Sequence, residues 1–135
     1  MKLLVWRGLE EWLAEAAEIH LEADRLKATG TQLGADPHPY RVDYELTTGA
    51  DWVTQHLRLK AGERSLDLRR SSDGTWTAND EPLPELAGAL DCDIQNSPLT
   101  NAMPIMRERG APADLNGALP RRRPRYQLAP PLRPW

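Results

Sequence analysis

Apolar and polar residues alternate along the middle of the chain with the period of two that a half-buried β-strand requires. Val42, Tyr44 and Leu46 alternate with charged residues, and Gly49 ends this run. A second run places Val53, Gln55, Leu57 and Leu59 on one face. A third run, RSLDLRR, turns its leucines inward, and Asp73-Gly74 before TWTA is a strong hairpin signal. The pattern predicts a four-stranded antiparallel meander.

The first 37 residues are ambiguous. The stretch from Leu9 to Ala23 fits a helical stripe, and its Glu and Ala residues favour helix. Ile19, Leu21 and Ala23 also alternate with polar residues, as in a strand. The pattern alone favours the helix.

A proline-containing loop leads from the meander to a predicted strand at Cys92 and Ile94, and then to SPLTNAMPI, residues 97–105. Residues before proline avoid the helical region, so Ser97 and Met103 are expected to be extended and the segment to form an irregular edge strand. Asn101 would then lie within an apolar row. Because a buried amide needs a partner, Asn101 either pins the backbone or meets the polar head of a ligand.

Beyond Arg107 the chain is rich in Pro and Arg and has no apolar period. We therefore expect one domain over residues 1–107 and an irregular tail over residues 108–135. The Arg-rich run RRRPR is more typical of a solvated end than of a nucleic-acid contact.

The composition narrows the class of protein. A chain of 135 residues fits one domain, and a formal net charge of −3 gives no general attraction to nucleic acid. The apolar run before Arg7 is too short for a signal peptide or a membrane span, so a cytoplasmic protein is expected. Its single cysteine, Cys92, is expected to be a small core residue and cannot form an internal disulfide.

Few residues suggest catalytic chemistry. The three histidines lack the spacing of metal ligands, and neither a phosphate-binding loop nor a nucleophile elbow is present, so no metal or cofactor is expected. Asp91 and Asp93 flank Cys92 and would share a strand face. They form a candidate acid–base pair, although pairing with Arg58, Arg69 or Arg107 is the simpler interpretation.

Arginines and tryptophans on the predicted strands are candidate ligand contacts. Arg41, Arg58 and Arg69 lie opposite the leucines, either as a polar lining for sugar or phosphate or as cross-strand ion pairs. Trp52 and Trp76 pack in the core or stack on a ligand. Trp52 is the more ligand-like, since it would share a face with Arg58.

Three segments resemble the putative glycolipid-binding family, a group of bacterial domains of unknown function: YRVDYELTTGADWVTQHLRLKAG, the DGTW turn, and ELAGALDCDIQNSPLTNAMPI. The resemblance runs from about Trp6 to Met106. It implies a mainly β fold, an antiparallel sheet curled into an incomplete barrel or roll, with an apolar interior for a lipid-like ligand. It also implies a hairpin of residues 17–23 and 26–33 that turns near Asp24, with at most a short helix over residues 9–15.

The tail departs from the family pattern, in which further strands help to close the sheet. Our hypothesis is that the tail is a frameshifted or truncated reading of an ancestral gene.

Two functions follow. The first is non-enzymatic binding of a lipid or glycolipid-like molecule in the concave face, with candidate contacts at Trp52, Arg58, Asp93, Asn101 and Arg107. The second is an uncharacterised hydrolase that uses Asp91 or Asp93 as a base and Arg107 as an anion stabiliser. The sequence leaves the ligand's identity and the oligomeric state open.

Overall fold

The computed structural model describes residues 1–109 and 126–128, which form an open antiparallel sheet and one short helix. Nine strands lie in the order β8-β7-β6-β5-β4-β3-β2-β1-β9, so neighbours in sequence are neighbours in the sheet except at β9. Their bounds are β1 Lys2–Gly8, β2 Leu13–Leu21, β3 Leu26–Gly34, β4 Tyr40–Thr48, β5 Thr54–Ala61, β6 Arg64–Arg70, β7 Trp76–Ala78, β8 Glu81–Pro82 and β9 Tyr126–Leu128, and helix α1 spans Ala102–Arg109. The predicted mainly β fold, a sheet not closed into a barrel, is confirmed.

The amino-terminal hairpin forms as the resemblance implied, and it is longer than predicted. β2 pairs with β3 from Leu13↔Gly34 to Leu21↔Leu26, and the turn includes Asp24. The helix allowed over residues 9–15 is wrong, because Leu13 already begins β2. Helix propensity is outweighed here by a ladder of nine cross-strand pairs, and alternate side chains of β2 are buried from Leu13 to Ile19.

The meander of β4 to β7 is confirmed, with one irregularity. Thr47 pairs with His56 and Thr48 pairs with Thr54, so Gln55 is an extra residue in β5. Gln55 is exposed, and the prediction that it shares the inward face of Leu57 is wrong. Trp52 is also misplaced by the sequence pattern, because it lies in a 3₁₀ turn before β5 and is buried.

Residues 84–109 contain no strand, which corrects two predictions. The segment around Cys92 and Ile94 is irregular, and Leu99–Asn101 forms a 3₁₀ turn that leads directly into α1. Met103 is helical although Pro104 follows it. Pro104 is tolerated because it lies in the first turn of the helix, where a backbone N–H has no intrahelical acceptor.

Residues 92–109, which we call the covering segment, pack against one face of the sheet, the inner face. Leu99, Met103 and Met106 are buried there in one cluster with Leu46 and Leu57. The inner face, where the family resemblance implied an apolar interior for a ligand, is thus occupied by the chain's own side chains.

The described part of the predicted tail is regular. Residues 108 and 109 end α1, and Tyr126–Leu128 pairs with β1 through Trp6↔Leu128 to Gly8↔Tyr126. The other tail residues lie outside the described part of the chain.

Candidate functional site

A carboxylate is buried between the sheet and the covering segment. Glu15 of β2 is 3% exposed and accepts hydrogen bonds from the Ser97 hydroxyl at 2.6 Å, the Tyr44 hydroxyl at 2.7 Å and Gln32 Nε2 at 3.2 Å. Tyr40 donates to Gln32 Oε1 at 3.1 Å. We call these five residues the Glu15 cluster. It joins β2, β3 and β4 to the covering segment.

Two glycines of β3 make room for the tyrosines of the Glu15 cluster. Gly30 lies opposite Tyr44 and Gly34 lies opposite Tyr40 in the β3–β4 ladder. A Cβ atom at Gly30 would come within 2.3 Å of the Tyr44 ring, and one at Gly34 within 2.3 Å of the Tyr40 ring. Each ring therefore lies over a glycine, and the Tyr44 hydroxyl reaches across β3 to Glu15 on β2.

The burial of the Glu15 cluster shifts its titration. Burial raises the pKa of the Glu15 carboxyl, and the hydrogen bonds from Ser97, Tyr44 and Gln32 oppose this shift. Burial and the neighbouring Glu15 carboxylate raise the pKa of the Tyr44 hydroxyl. Because a ligand cannot reach a carboxylate this buried, we interpret the Glu15 cluster as a structural link between the sheet and the covering segment.

The opposite face of the sheet, which we call the outer face, carries most of the exposed polar groups. Side chains of the same parity align across neighbouring strands, and one row crosses five of them through Glu18↔Thr29, Thr29↔Glu45, Glu45↔Arg58 and Arg58↔Asp67. We call these five residues the polar row.

A groove of about 370 Å³ lies along this row over β3 to β6, and we call it the outer groove. Its polar lining comes from alternate residues of four strands: Thr29, Thr31, Asp43, Glu45, Arg58, Lys60, Ser65 and Asp67. A volume of this size is at the lower end of the range for small-molecule sites. The outer groove is therefore a candidate site on the described part of the outer face.

Charges of both signs alternate in the outer groove. Arg58 stands between Glu45 and Asp67, with a guanidinium nitrogen 3.9 Å from each carboxylate. Hydrogen bonds from Thr31 and Arg41 lower the pKa of Asp43, and Arg69 and His56 do the same for Asp67. With three carboxylates against two cations, the groove offers donors and acceptors without a strong net charge.

The structure separates the five predicted ligand contacts. Arg58 lies in the outer groove, whereas Trp52, Asp93, Asn101 and Arg107 lie in the covering segment or against it. Trp52 is 4% exposed, and the Asn101 amide donates to the Ser97 carbonyl at 3.5 Å. A role of these four residues in ligand binding stays a prediction.

Asp91 and Asp93, the candidate acid–base pair, have separate hydrogen-bond partners. Asp91 accepts two hydrogen bonds from the Arg107 guanidinium, and Asp93 is exposed and accepts from the Thr100 hydroxyl at 2.7 Å. Because this segment is not a strand, the two carboxylates do not share a strand face. Cys92 packs against the core as expected, and burial raises the pKa of its thiol to about 11.

Sequence reasoning missed the Glu15 cluster, because it began the first strand of the hairpin at residue 17 and left Glu15 in a segment where a short helix was still possible. Once β2 is known to begin at Leu13, the parity of Glu15 with Ala17 and Ile19 places its side chain inward. The carboxylates of the outer groove were noticed only as partners of arginines.

The described residues contain neither a membrane-spanning helix nor a cluster of metal ligands. No described helix is long and apolar enough to cross a bilayer. Within residues 1–109 and 126–128, no group of three or more His, Cys, Asp or Glu side chains could hold a metal ion.

The fold and the groove define a class: open antiparallel β-sheet proteins with one face covered by a short helix and a polar groove on the other face. The chain belongs to the putative glycolipid-binding family, whose model matches residues 3–116. It is also similar to a crystal structure of a DUF1089 family protein from Pseudomonas aeruginosa, with 32% identity and a TM-score of 0.53. The similarity covers 72% of this chain and 56% of that one, so the chain spans little more than half of its structural relative. No curated protein matches the sequence.

Proposed function

We propose that the chain is a non-enzymatic binding module that holds the sugar head group of a glycolipid-like ligand in the outer groove. Membership of the putative glycolipid-binding family supports a binding role at the level of the family. The observation that carries the proposal is the outer groove itself, in which Arg58 lies between two carboxylates on a surface lined by hydroxyls.

The lining suits a neutral polyhydroxylated group. Carboxylates accept hydrogen bonds from neighbouring sugar hydroxyls, and the guanidinium of Arg58 donates several at once. Both distances from Arg58 to its carboxylates are 3.9 Å, which is longer than a hydrogen bond, so the guanidinium keeps donors for a ligand. An anionic head group would meet the three carboxylates.

The proposal places the ligand in the outer groove and not in the concave face where the sequence analysis expected it. The covering segment occupies the centre of the inner face with Leu99, Met103 and Met106, each at most 1% exposed. A ligand there would have to displace them, whereas the outer groove is open without any rearrangement.

Vesicle binding tests the proposal. Phosphatidylcholine vesicles that contain monogalactosyldiacylglycerol should bind the full chain, and phosphatidylcholine vesicles that contain phosphatidylglycerol should not. Arg58→Ala should weaken galactolipid binding at least about tenfold, since at least one charge-assisted hydrogen bond is lost. Arg64→Ala, which removes an exposed cation outside the groove lining, is the matched control and should bind normally.

Equal binding to all vesicles, no binding to the galactolipid vesicles, or equal losses in the two arginine variants would overturn the proposal.

A further inference from the structure

We propose that the outer groove extends across β2 and takes a head group of at least two sugar units. This inference rests on the proposed function and specifies the ligand of the same site. A second cleft of about 370 Å³ lies beside the first, lined by Glu18, His20, Glu22, Lys27 and Thr29. The two clefts share Thr29, so they adjoin each other on the outer face.

The register of the sheet gives the length of this surface. The polar row joins one residue from each of β2 to β6: Glu18, Thr29, Glu45, Arg58 and Asp67. Because neighbouring strands are about 4.8 Å apart, a row over five strands is about 19 Å long. A single pyranose ring cannot contact both ends of such a row, whereas a linear disaccharide or trisaccharide can contact both clefts.

The second cleft has the same kind of chemistry as the first. Lys27 lies opposite His20 in the β2–β3 ladder, and Glu18 lies opposite Thr29. These pairs place an ammonium, an imidazole, carboxylates and a hydroxyl around one cavity, so donors and acceptors are again mixed. The chemistry thus favours a second neutral sugar rather than a phosphate.

The test compares vesicles of phosphatidylcholine that contain either monogalactosyl- or digalactosyldiacylglycerol. The full chain should bind the digalactosyl lipid about tenfold more tightly, a gain that one or two surplus hydrogen bonds supply. Lys27→Ala and His20→Ala should each reduce this preference and leave monogalactosyl binding unchanged. Arg58→Ala should weaken the binding of both lipids, and Arg64→Ala of neither.

The outcomes separate the two proposals. If the monogalactosyl lipid binds through Arg58 but the digalactosyl lipid binds no better, or the second-cleft variants keep the preference, the extended site is wrong and the first proposal stands. If neither lipid binds, both proposals fail. All substituted residues are exposed, so thermal unfolding of each variant should match the unsubstituted chain and exclude misfolding as the cause.

Discussion

The packing of Tyr44 over Gly30 gives the sharpest test of the Glu15 cluster. In Gly30→Ala, the new methyl group would come within 2.3 to 2.6 Å of three atoms of the Tyr44 side chain. Tyr44 is 2% exposed, so its ring has little room to move aside. The ring must shift, and its 2.7 Å hydrogen bond to Glu15 must lengthen or break.

The expected loss of stability can be worked from these contacts. Overpacking costs about 1–3 kcal/mol, and a lost hydrogen bond to a charged group costs about 1.5–3 kcal/mol. The lower backbone entropy of alanine in the unfolded chain offsets about 0.5–1 kcal/mol. Gly30→Ala should therefore lower the free energy of unfolding by about 2–5 kcal/mol.

Gly34→Ala is the matched control. Its methyl group would approach the Tyr40 ring just as closely, but Tyr40 is only half-buried and can swing towards solvent. Gly34→Ala should lower the free energy of unfolding by about 1 kcal/mol, which is the contribution of the neutral hydrogen bond from Tyr40 to Gln32. Urea unfolding followed by tryptophan fluorescence measures both values.

Two outcomes would contradict this account of Gly30 and Tyr44. If Gly30→Ala lowers the free energy of unfolding no more than Gly34→Ala does, the inference that the Tyr44 ring cannot move aside is wrong. If Gly30→Ala costs the same in a Tyr44→Phe background, the hydrogen bond to Glu15 contributes nothing to the loss.

Three further predictions concern other charged groups. The raised pKa of Glu15 means that the folded state holds a proton on this carboxyl more tightly than the unfolded state does. The free energy of unfolding, relative to that of Glu15→Gln, should therefore fall as the pH rises from about 4.5, the ordinary pKa of a glutamate. Urea unfolding at a series of pH values measures this difference in stability, and a constant or rising difference would contradict the prediction. Asp91→Asn should lower the free energy of unfolding by about 1 kcal/mol, because it weakens the ion pair with Arg107. High salt should lower the stability of the unsubstituted chain but not that of the variant. Arg58→Ala should leave the urea midpoint unchanged, because its side chain is 58% exposed; a clear shift would mean that Arg58 stabilises the sheet.

The strands from β4 to β7 could be predicted from sequence because alternation and turn residues agree there, whereas β3 was expected only from the family resemblance. Leu46 and Leu57 point inward as the period of two requires, and Gly74 turns the chain as the Asp-Gly signal predicts. The bulge at Gln55 could not be predicted, because one extra residue changes the parity without leaving a local signal.

The covering segment was predicted least well. The rule that residues before proline are extended failed at Met103, because Pro104 sits in the first turn of a helix whose apolar side chains are buried against the sheet. Asn101 lies in a 3₁₀ turn and not in the predicted edge strand, but its amide donates to the carbonyl of Ser97, four residues earlier, which agrees with the alternative that it pins the backbone.

The distance along the chain between Glu15 and Ser97 has a consequence for synthesis. These partners are 82 residues apart, so during translation the first strands leave the ribosome well before the hydroxyl that completes the cluster. Until then an ionised carboxylate projects from the apolar side of the nascent sheet. An inward-pointing charge of this kind disfavours the stacking of one unfinished sheet on another.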